Sequence, residues 1–264
     1  MPAIVSPRPE AHRTDLCAVV LAAGAGRRLR PLTRVLPKAL CPVDGVPLVD
    51  HAVTRARTVT SDVAVNVHHG REQMEAHLRS LPVPVHISVE EDRPLGTAGA
   101  LGHLRSWIDG RAVLVVNADT WAPGSLAPCV EGWDGESVRI IVAGEDRLRP
   151  SSQVVASLLP WPTVSVLEPV PSGLYEVVWR ERASSGLLDV VRWDGPAYDC
   201  GTPARYLAAN LAASGGHPVV GEGAVVEGTV ERSVIWPGAH VHASEELVDA
   251  IRTDAASNIT VLVR

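Results

Sequence analysis

Phenylalanine is absent from this 264-residue chain, and lysine occurs once, at Lys38, against 23 arginines. That bias follows GC-rich coding, which makes the one surviving lysine worth tracing. The four cysteines, Cys17, Cys41, Cys129 and Cys200, are far apart and form no C-x-x-C pair. Their spacing excludes a zinc-ribbon site and a disulfide framework, and a reducing cytoplasm is the expected setting. No run approaches the roughly 20 apolar residues of a membrane span, and the Pro- and Arg-containing first sixteen residues lack the apolar centre of a secretion signal. Positive charge is not in excess either. The net charge is −6 and the pI about 5.9, which argues against a basic nucleic-acid face and leaves small anionic substrates open.

What is present is enough apolar material, 46% of residues, to bury a substantial core. Apolar runs alternate with helix-length amphipathic stretches. Residues 17–21, 63–67, 85–89 and 112–116 read as strands, and 48–59, 71–81 and 97–108 as helices. Repeated βα units predict an α/β fold, Rossmann-like, with a mainly parallel sheet and helices on both faces. Ligands of such sheets bind beyond the carboxyl ends of the strands. The loops there span 24–30, 68–70, 95–99 and 117–121. From about residue 214 the pattern changes to short Val-rich pieces punctuated by glycine. Gly223-Ala224-Val225-Val226 returns as Gly238-Ala239-His240-Val241 fifteen residues later. One or two coils of a short left-handed β-helix, packed on the main domain or on another subunit, are expected. The division expected is a flexible extension over 1–14, a catalytic domain over 15–213 and the tail over 214–264.

The first loop runs Leu21-Ala22-Ala23-Gly24-Ala25-Gly26-Arg27-Arg28-Leu29-Arg30-Pro31-Leu32-Thr33 and ends at Pro37-Lys38. Small residues after a strand let backbone N–H groups approach phosphate oxygens, and the arginines add positive charge. Gly24-Ala25-Gly26 alone fits an ordinary turn equally well. A dinucleotide fingerprint would need glycine where Leu29 stands, and a P-loop would need Gly-Lys followed by Ser or Thr. Neither occurs.

The whole string resembles the signature of the sugar-1-phosphate nucleotidylyltransferases, and four further segments resemble that family in order: Asn66 to Gly70, Pro94 to Gly99, Asn117-Ala118-Asp119, and Asp199 to Leu207. The resemblance covers roughly residues 17–210. It implies that Asp119 and Asp199 hold Mg²⁺, that Arg28 stabilises the departing pyrophosphate, and that Lys38 grips the sugar phosphate. Leu21, Ala22, Ala23, Gly24, Ala25, Gly26, Glu91, Gly96 and Thr97 would bind the nucleotide, and Asn117, Ser157 and Glu168 the sugar. Taken singly, Asp119 and Asp199 read more readily as turn or cap residues than as metal ligands, and their joint occurrence in the family context reverses that. His68 and His69, adjacent on an extended chain, point apart and make poor joint metal ligands. Trp161, Trp179 and Trp193 serve packing more readily than stacking on a base.

Departures from the family pattern are Arg27, where Thr or Ser is usual, and Ala118, where glycine is. The stretch 144–171 lacks a plain Glu-Lys-Pro motif. Glu168-Pro169 echoes it without the lysine, and residues 155–160 are the other candidate for the sugar-pocket strand. Glu91 favours guanine, because a carboxylate accepts from both N1–H and N2–H₂. The run from Glu91 to Gly99 resembles that of the mannose-1-phosphate guanylyltransferases, which implies GTP and mannose 1-phosphate or a similar sugar phosphate as substrates. The Asn-x-Asp-x-Trp spelling at 117–121 is shared with N-acetylmuramate-1-phosphate uridylyltransferases and keeps uridylyl transfer open. A catalytically idle regulatory relative is the rival of another class. No nucleic-acid or membrane partner is expected, and a homodimer through the tail stays open.

Overall fold

The computed structural model describes residues 16–254 and 256–263. The extension expected over 1–14 lies outside the described residues. One seven-stranded sheet organises the chain: β1 (Leu16–Leu21), β2 (Val63–Val67), β3 (His86–Val89), β4 (Ala112–Asn117), β5 (Val138–Ala143), β6 (Val154–Leu159) and β7 (Leu188–Trp193). The order across it is β7-β5-β6-β4-β1-β2-β3. All pairs are parallel except those of β6, which runs antiparallel to both β4 and β5.

The central strand shows why the sheet is covered on both faces. Leu16, Ala18 and Val20 of β1 join one core, with Val49, Ala52 and Val53 of α1 (Leu48–Arg57) and Met74 and Leu78 of α2 (Arg71–Ser80). Cys17 and Val19 point the other way, into a core with Leu101 of α3 (Gly96–His103), Leu104 and Ile108. Alternate residues of one strand thus feed two cores, so β1 reads as a continuous apolar run. Leu21 lies abreast of Asn66 on one side and Asn117 on the other. The carboxyl ends of β1, β2 and β4 are therefore flush, and their loops open on one edge.

The helix expected over 97–108 is divided at Leu104 into α3 and a short turn, Arg105–Ile108. Three glycines weaken α3 as a helix, and packing explains them. A Cβ at Gly96, Gly99 or Gly102 would lie 2.5, 2.2 or 2.5 Å from backbone atoms of Ser172, Val170 or Glu168 respectively. The glycine stripe is the seat on which the backbone of 168–172 lies.

After β7, α4 (Pro203–Ala213) starts with the Thr202 side chain accepting the Arg205 N–H. The tail follows as three parallel ladders. Val219–Val220, Val234–Ile235 and Ala250–Arg252 form one, Val225–Val226 with His240–Val241 a second, and Thr229–Glu231 with Glu246–Val248 a third. The fifteen-residue repeat is the register of the second, Val225 opposite His240. Val219, Val234, Trp236 and Ile251 share a core with Leu29, Leu32, Leu48, Tyr206 and Leu207. Trp236 Nε1 donates to the Tyr206 hydroxyl at 3.0 Å, and that hydroxyl donates to the Pro42 carbonyl. The tail thus buttresses the segment that carries the glycine-rich loop.

Candidate active site

Leaving β1, the chain is pinned by a relay of buried polar groups. The Ala22 N–H donates to Asn66 Oδ1, Asn66 Nδ2 donates to Glu90 Oε1, and Glu90 Oε2 accepts the Leu95 N–H, each at 2.7 Å. The loops after three neighbouring strands are thereby locked together. Gly26 takes a left-handed conformation, φ 59°, that favours glycine. A Cβ there would lie 2.7 Å from Thr33 Cγ2 and 2.9 Å from Lys38 Cβ. The Thr33 hydroxyl donates back to the Gly26 carbonyl at 3.0 Å. His69 Nδ1 donates to the Ala23 carbonyl at 3.0 Å and His68 Nδ1 to the Glu90 carbonyl at 2.6 Å. The two histidines thus brace loops.

Lys38, only 9% exposed, ends the loop between two carboxylates. The pair is assembled by two short strands: Thr120–Trp121 pairs antiparallel with Tyr198–Asp199, Asp199 lies opposite Thr120, and the Cys200 N–H donates to the Asp119 carbonyl at 2.8 Å. Lys38 Nζ is 2.5 Å from Asp119 Oδ2 and 3.8 Å from Asp199 Oδ1. Arg28 and Arg205 approach Asp199 Oδ2 at 3.6 and 3.5 Å. A Cβ at Gly201 would stand 2.7 Å from Asp199 Oδ1 and 2.8 Å from Arg28 Nη2, so a side chain there would push these two groups from their present positions. Two facing carboxylates are hard oxygen donors of the kind a divalent cation takes, and the pair fits one.

Arg55, on α1 and 2% exposed, is a site residue that the sequence reading missed. It donates to the carbonyls of Ala122 at 3.1 Å, Thr120 at 3.2 Å and Asn117 at 3.5 Å. Those carbonyls belong to the turn that presents Asp119. Burial pulls its pKa down from 12.5 to about 10. The signal was its position: Leu48, Ala52 and Ala56 define the buried stripe of α1, and Arg55 falls on it.

Two adjoining cavities open at the strand ends. The first is lined by Leu21, Ala22, Ala23, Gly24, Lys38, Gly96, Thr97, Asn117 and Asp119. The second shares Leu21, Thr97 and Asn117 and adds Ser157, Glu176 and Trp179, whose buried indole N–H has no hydrogen-bond partner. Ala25 faces an adjoining basic hollow that shares Gly24 and Lys38 with the first cavity and adds Arg27, Arg30 and Arg34. Thr97 Oγ1 accepts the Leu174 N–H at 2.7 Å and so joins the two cavities.

Two expected residues, Glu91 and Glu168, reach neither the cavities nor the glycine-rich loop and the carboxylates around Lys38. Glu91 lies outward, 67% exposed at its side chain and 2.5 Å from Arg71, while its neighbour Glu90 turns inward and is consumed by the relay. Glu168 is exposed, its backbone lying on Gly102 of α3, away from both cavities. Adjacent residues of an extended chain face opposite ways, and a one-residue difference decides which carboxylate enters the interior. Of the two candidate sugar-pocket segments, β6 is the one that reaches the second cavity, through Val154, Ala156 and Ser157.

Residues 18–251 match the model of the MobA-like NTP transferase domain. The chain is 37% identical over 133 residues to the N-acetylmuramate alpha-1-phosphate uridylyltransferase of Caulobacter vibrioides, covering 47% of this chain and 55% of that one. It is 31% identical over 124 residues to the mannose-1-phosphate guanylyltransferase of Mycobacterium tuberculosis, covering 46% and 34%. The matches thus span about half, or less, of those relatives' length. Among solved structures, UDP-glucose pyrophosphorylase from Acinetobacter baumanii superposes with a TM-score of 0.61 at 17% identity, over 74% of this chain and 92% of that one. HddC from Yersinia pseudotuberculosis, complexed with GMP-PN, gives 0.61 at 16% identity, over 74% and 98%. At those identities the superpositions speak for the fold alone. The family match runs from within β1 through the tail's Ile251, so the chain belongs to the MobA-like NTP transferase domain family.

Proposed function

We propose that this protein joins a nucleotide to a sugar 1-phosphate, releasing pyrophosphate. The observation that carries the reading is the placement of Lys38 between Asp119 and Asp199 at the mouth of the glycine-rich loop. In this reading the loop from Ala22 to Gly26 receives the triphosphate, and Arg28 meets the leaving pyrophosphate. Lys38 holds the attacking sugar phosphate and offsets charge at the α-phosphorus. Asp119 and Asp199 would hold the divalent ion, Mg²⁺, which supplies further neutralisation of the phosphates when bound. A phosphate monoester is already an anionic nucleophile, so catalysis is positioning and electrostatics and no side chain is needed as acid or base.

We place the sugar in the second cavity, where the side chains of Ser157 and Glu176 offer polar contacts to hydroxyl groups. The preference for guanine rested on Glu91, which lies outside the cleft. The uridylyl reading is supported by the Asn117-Ala118-Asp119-Thr120-Trp121 spelling and by the Caulobacter relative, so UTP joins GTP as a first nucleotide to test. Cytoplasmic residence belongs to the same proposal, and no helix among the described residues is long and apolar enough to cross a membrane. We read the tail as a short left-handed coil whose exposed Val220, Val225 and Val226 offer a surface for self-association.

The test is pyrophosphate release with Mg²⁺, each of the common nucleoside triphosphates and a panel of sugar 1-phosphates. Release with one pair, abolished by Lys38→Ala and Asp119→Ala, is expected. Silence with every pair refutes the activity. Full activity in both variants refutes the assigned roles.

A further inference from the structure

The tail carries a side-chain cluster that nucleotidyl transfer does not use. His240 and His242 flank Val241, which is fully buried among Ile235, Leu247 and Ala250. Strand alternation therefore sends both imidazoles out on one face. Their ring centroids are 4.1 Å apart. The pairing of Val225–Val226 with His240–Val241 brings the next residue, Glu227, alongside them from the preceding coil, and its N–H donates to the Val241 carbonyl at 2.9 Å. His240 Nε2 lies 3.2 Å from Glu227 Oε2, and one donor atom from each of the three residues lies within 4.8 Å of the others.

We propose that Glu227, His240 and His242 form a transition-metal site, of which zinc is the natural occupant, clamping two successive coils of the tail together. Tetrahedral zinc with bonds of roughly 2.0–2.2 Å sets its ligand atoms about 3.3 Å apart. The Glu227–His240 pair already stands at that spacing. His242, exposed and free to turn about its side-chain torsions, closes the remaining distance. Two imidazoles and a carboxylate suit zinc, nickel or copper and do not suit Mg²⁺, which prefers an all-oxygen set. The neighbouring cation does not oppose the charge of an ion: Arg252 donates to the His240 carbonyl at 2.8 Å but is neutralised by Glu245. Three protein ligands leave the fourth position open to water or to a further ligand.

The experiment is calorimetric titration of the full chain with Zn²⁺ in excess Mg²⁺, which keeps the cleft carboxylates of Asp119 and Asp199 engaged. One tight equivalent is expected for the wild type. It should weaken at least about tenfold in Glu227→Gln, consistent with loss of one charged ligand, and vanish in the His240→Ala/His242→Ala double variant. Thermal melts should rise with Zn²⁺ in the wild type and not in the double variant. All three side chains are partly or fully exposed, so the variants keep the fold, and unchanged pyrophosphate release without zinc reports on the separate catalytic reading. Wild-type and double-variant isotherms that coincide overturn the site, as does a wild type that takes up no zinc.

Discussion

Replacing Arg55 by methionine separates the positioning of Asp119 from the stability of the fold. The guanidinium makes two well-formed bonds, 3.1 Å to Ala122 and 3.2 Å to Thr120, and a marginal one at 3.5 Å to Asn117. Charged donors contribute about 1.5–3 kcal/mol each, so the two good bonds amount to roughly 3–6 kcal/mol. Against this stands the cost of burying a cation that pairs with no carboxylate among the described residues. The fall in pKa from 12.5 to about 10 corresponds to a penalty of roughly 3 kcal/mol for the charged form. Methionine keeps most of the apolar stem and removes both terms, so the net loss of stability should be only about 0–3 kcal/mol. Activity should suffer more. The turn from Asn117 to Ala122 loses its anchor, and a displacement on the order of 1 Å at a reacting group costs about a hundredfold in rate. Urea unfolding measures the first quantity and kcat from pyrophosphate release the second. A variant with wild-type kcat would show that the turn holds itself without Arg55. A variant that loses stability and activity in strict proportion would reduce Arg55 to a residue of the fold.

Gly26→Ala forces a side chain into a left-handed backbone, at about 1–2 kcal/mol, and sets its Cβ against Thr33 and Lys38. The protein should stay folded while kcat drops about tenfold or more through the displaced lysine, and unchanged steady-state kinetics would contradict the loop geometry. Burial holds the thiols protonated, with Cys17 pushed up to about 11 and Cys41 and Cys200 to about 12. A thiolate is the reactive form, so a thiol reagent in mildly alkaline buffer should leave these three unlabelled in the native chain and label them in denaturant. Rapid native labelling would place them nearer the surface than the structure has them.

Much of the architecture was legible because periodicity is a local property. The continuous apolar run of β1 and the helical spacing of α1 and α2 survive into the fold with ends shifted by a residue or two. The break in α3 was not legible, because the glycines that weaken that helix serve a backbone segment some 70 residues further on. Tertiary contact also separated Glu90 from Glu91. Both are acidic and adjacent, and only the position of Asn66 on the neighbouring strand decides which carboxylate is drawn inside.

The sequence alone specified a glycine-rich loop followed by a lone lysine, and two aspartates in separate motifs 80 residues apart. It did so because a glycine-rich turn after a buried strand is encoded by neighbours in the chain. The convergence of those aspartates on Lys38 is decided by the pairing of Thr120–Trp121 with Tyr198–Asp199, a contact between distant segments that no local pattern announces. The same holds for Arg55, whose role depends on carbonyls about 65 residues away. Hydrogen bonds between remote backbone groups and side chains are properties of the folded chain, and there the tertiary structure had the decision.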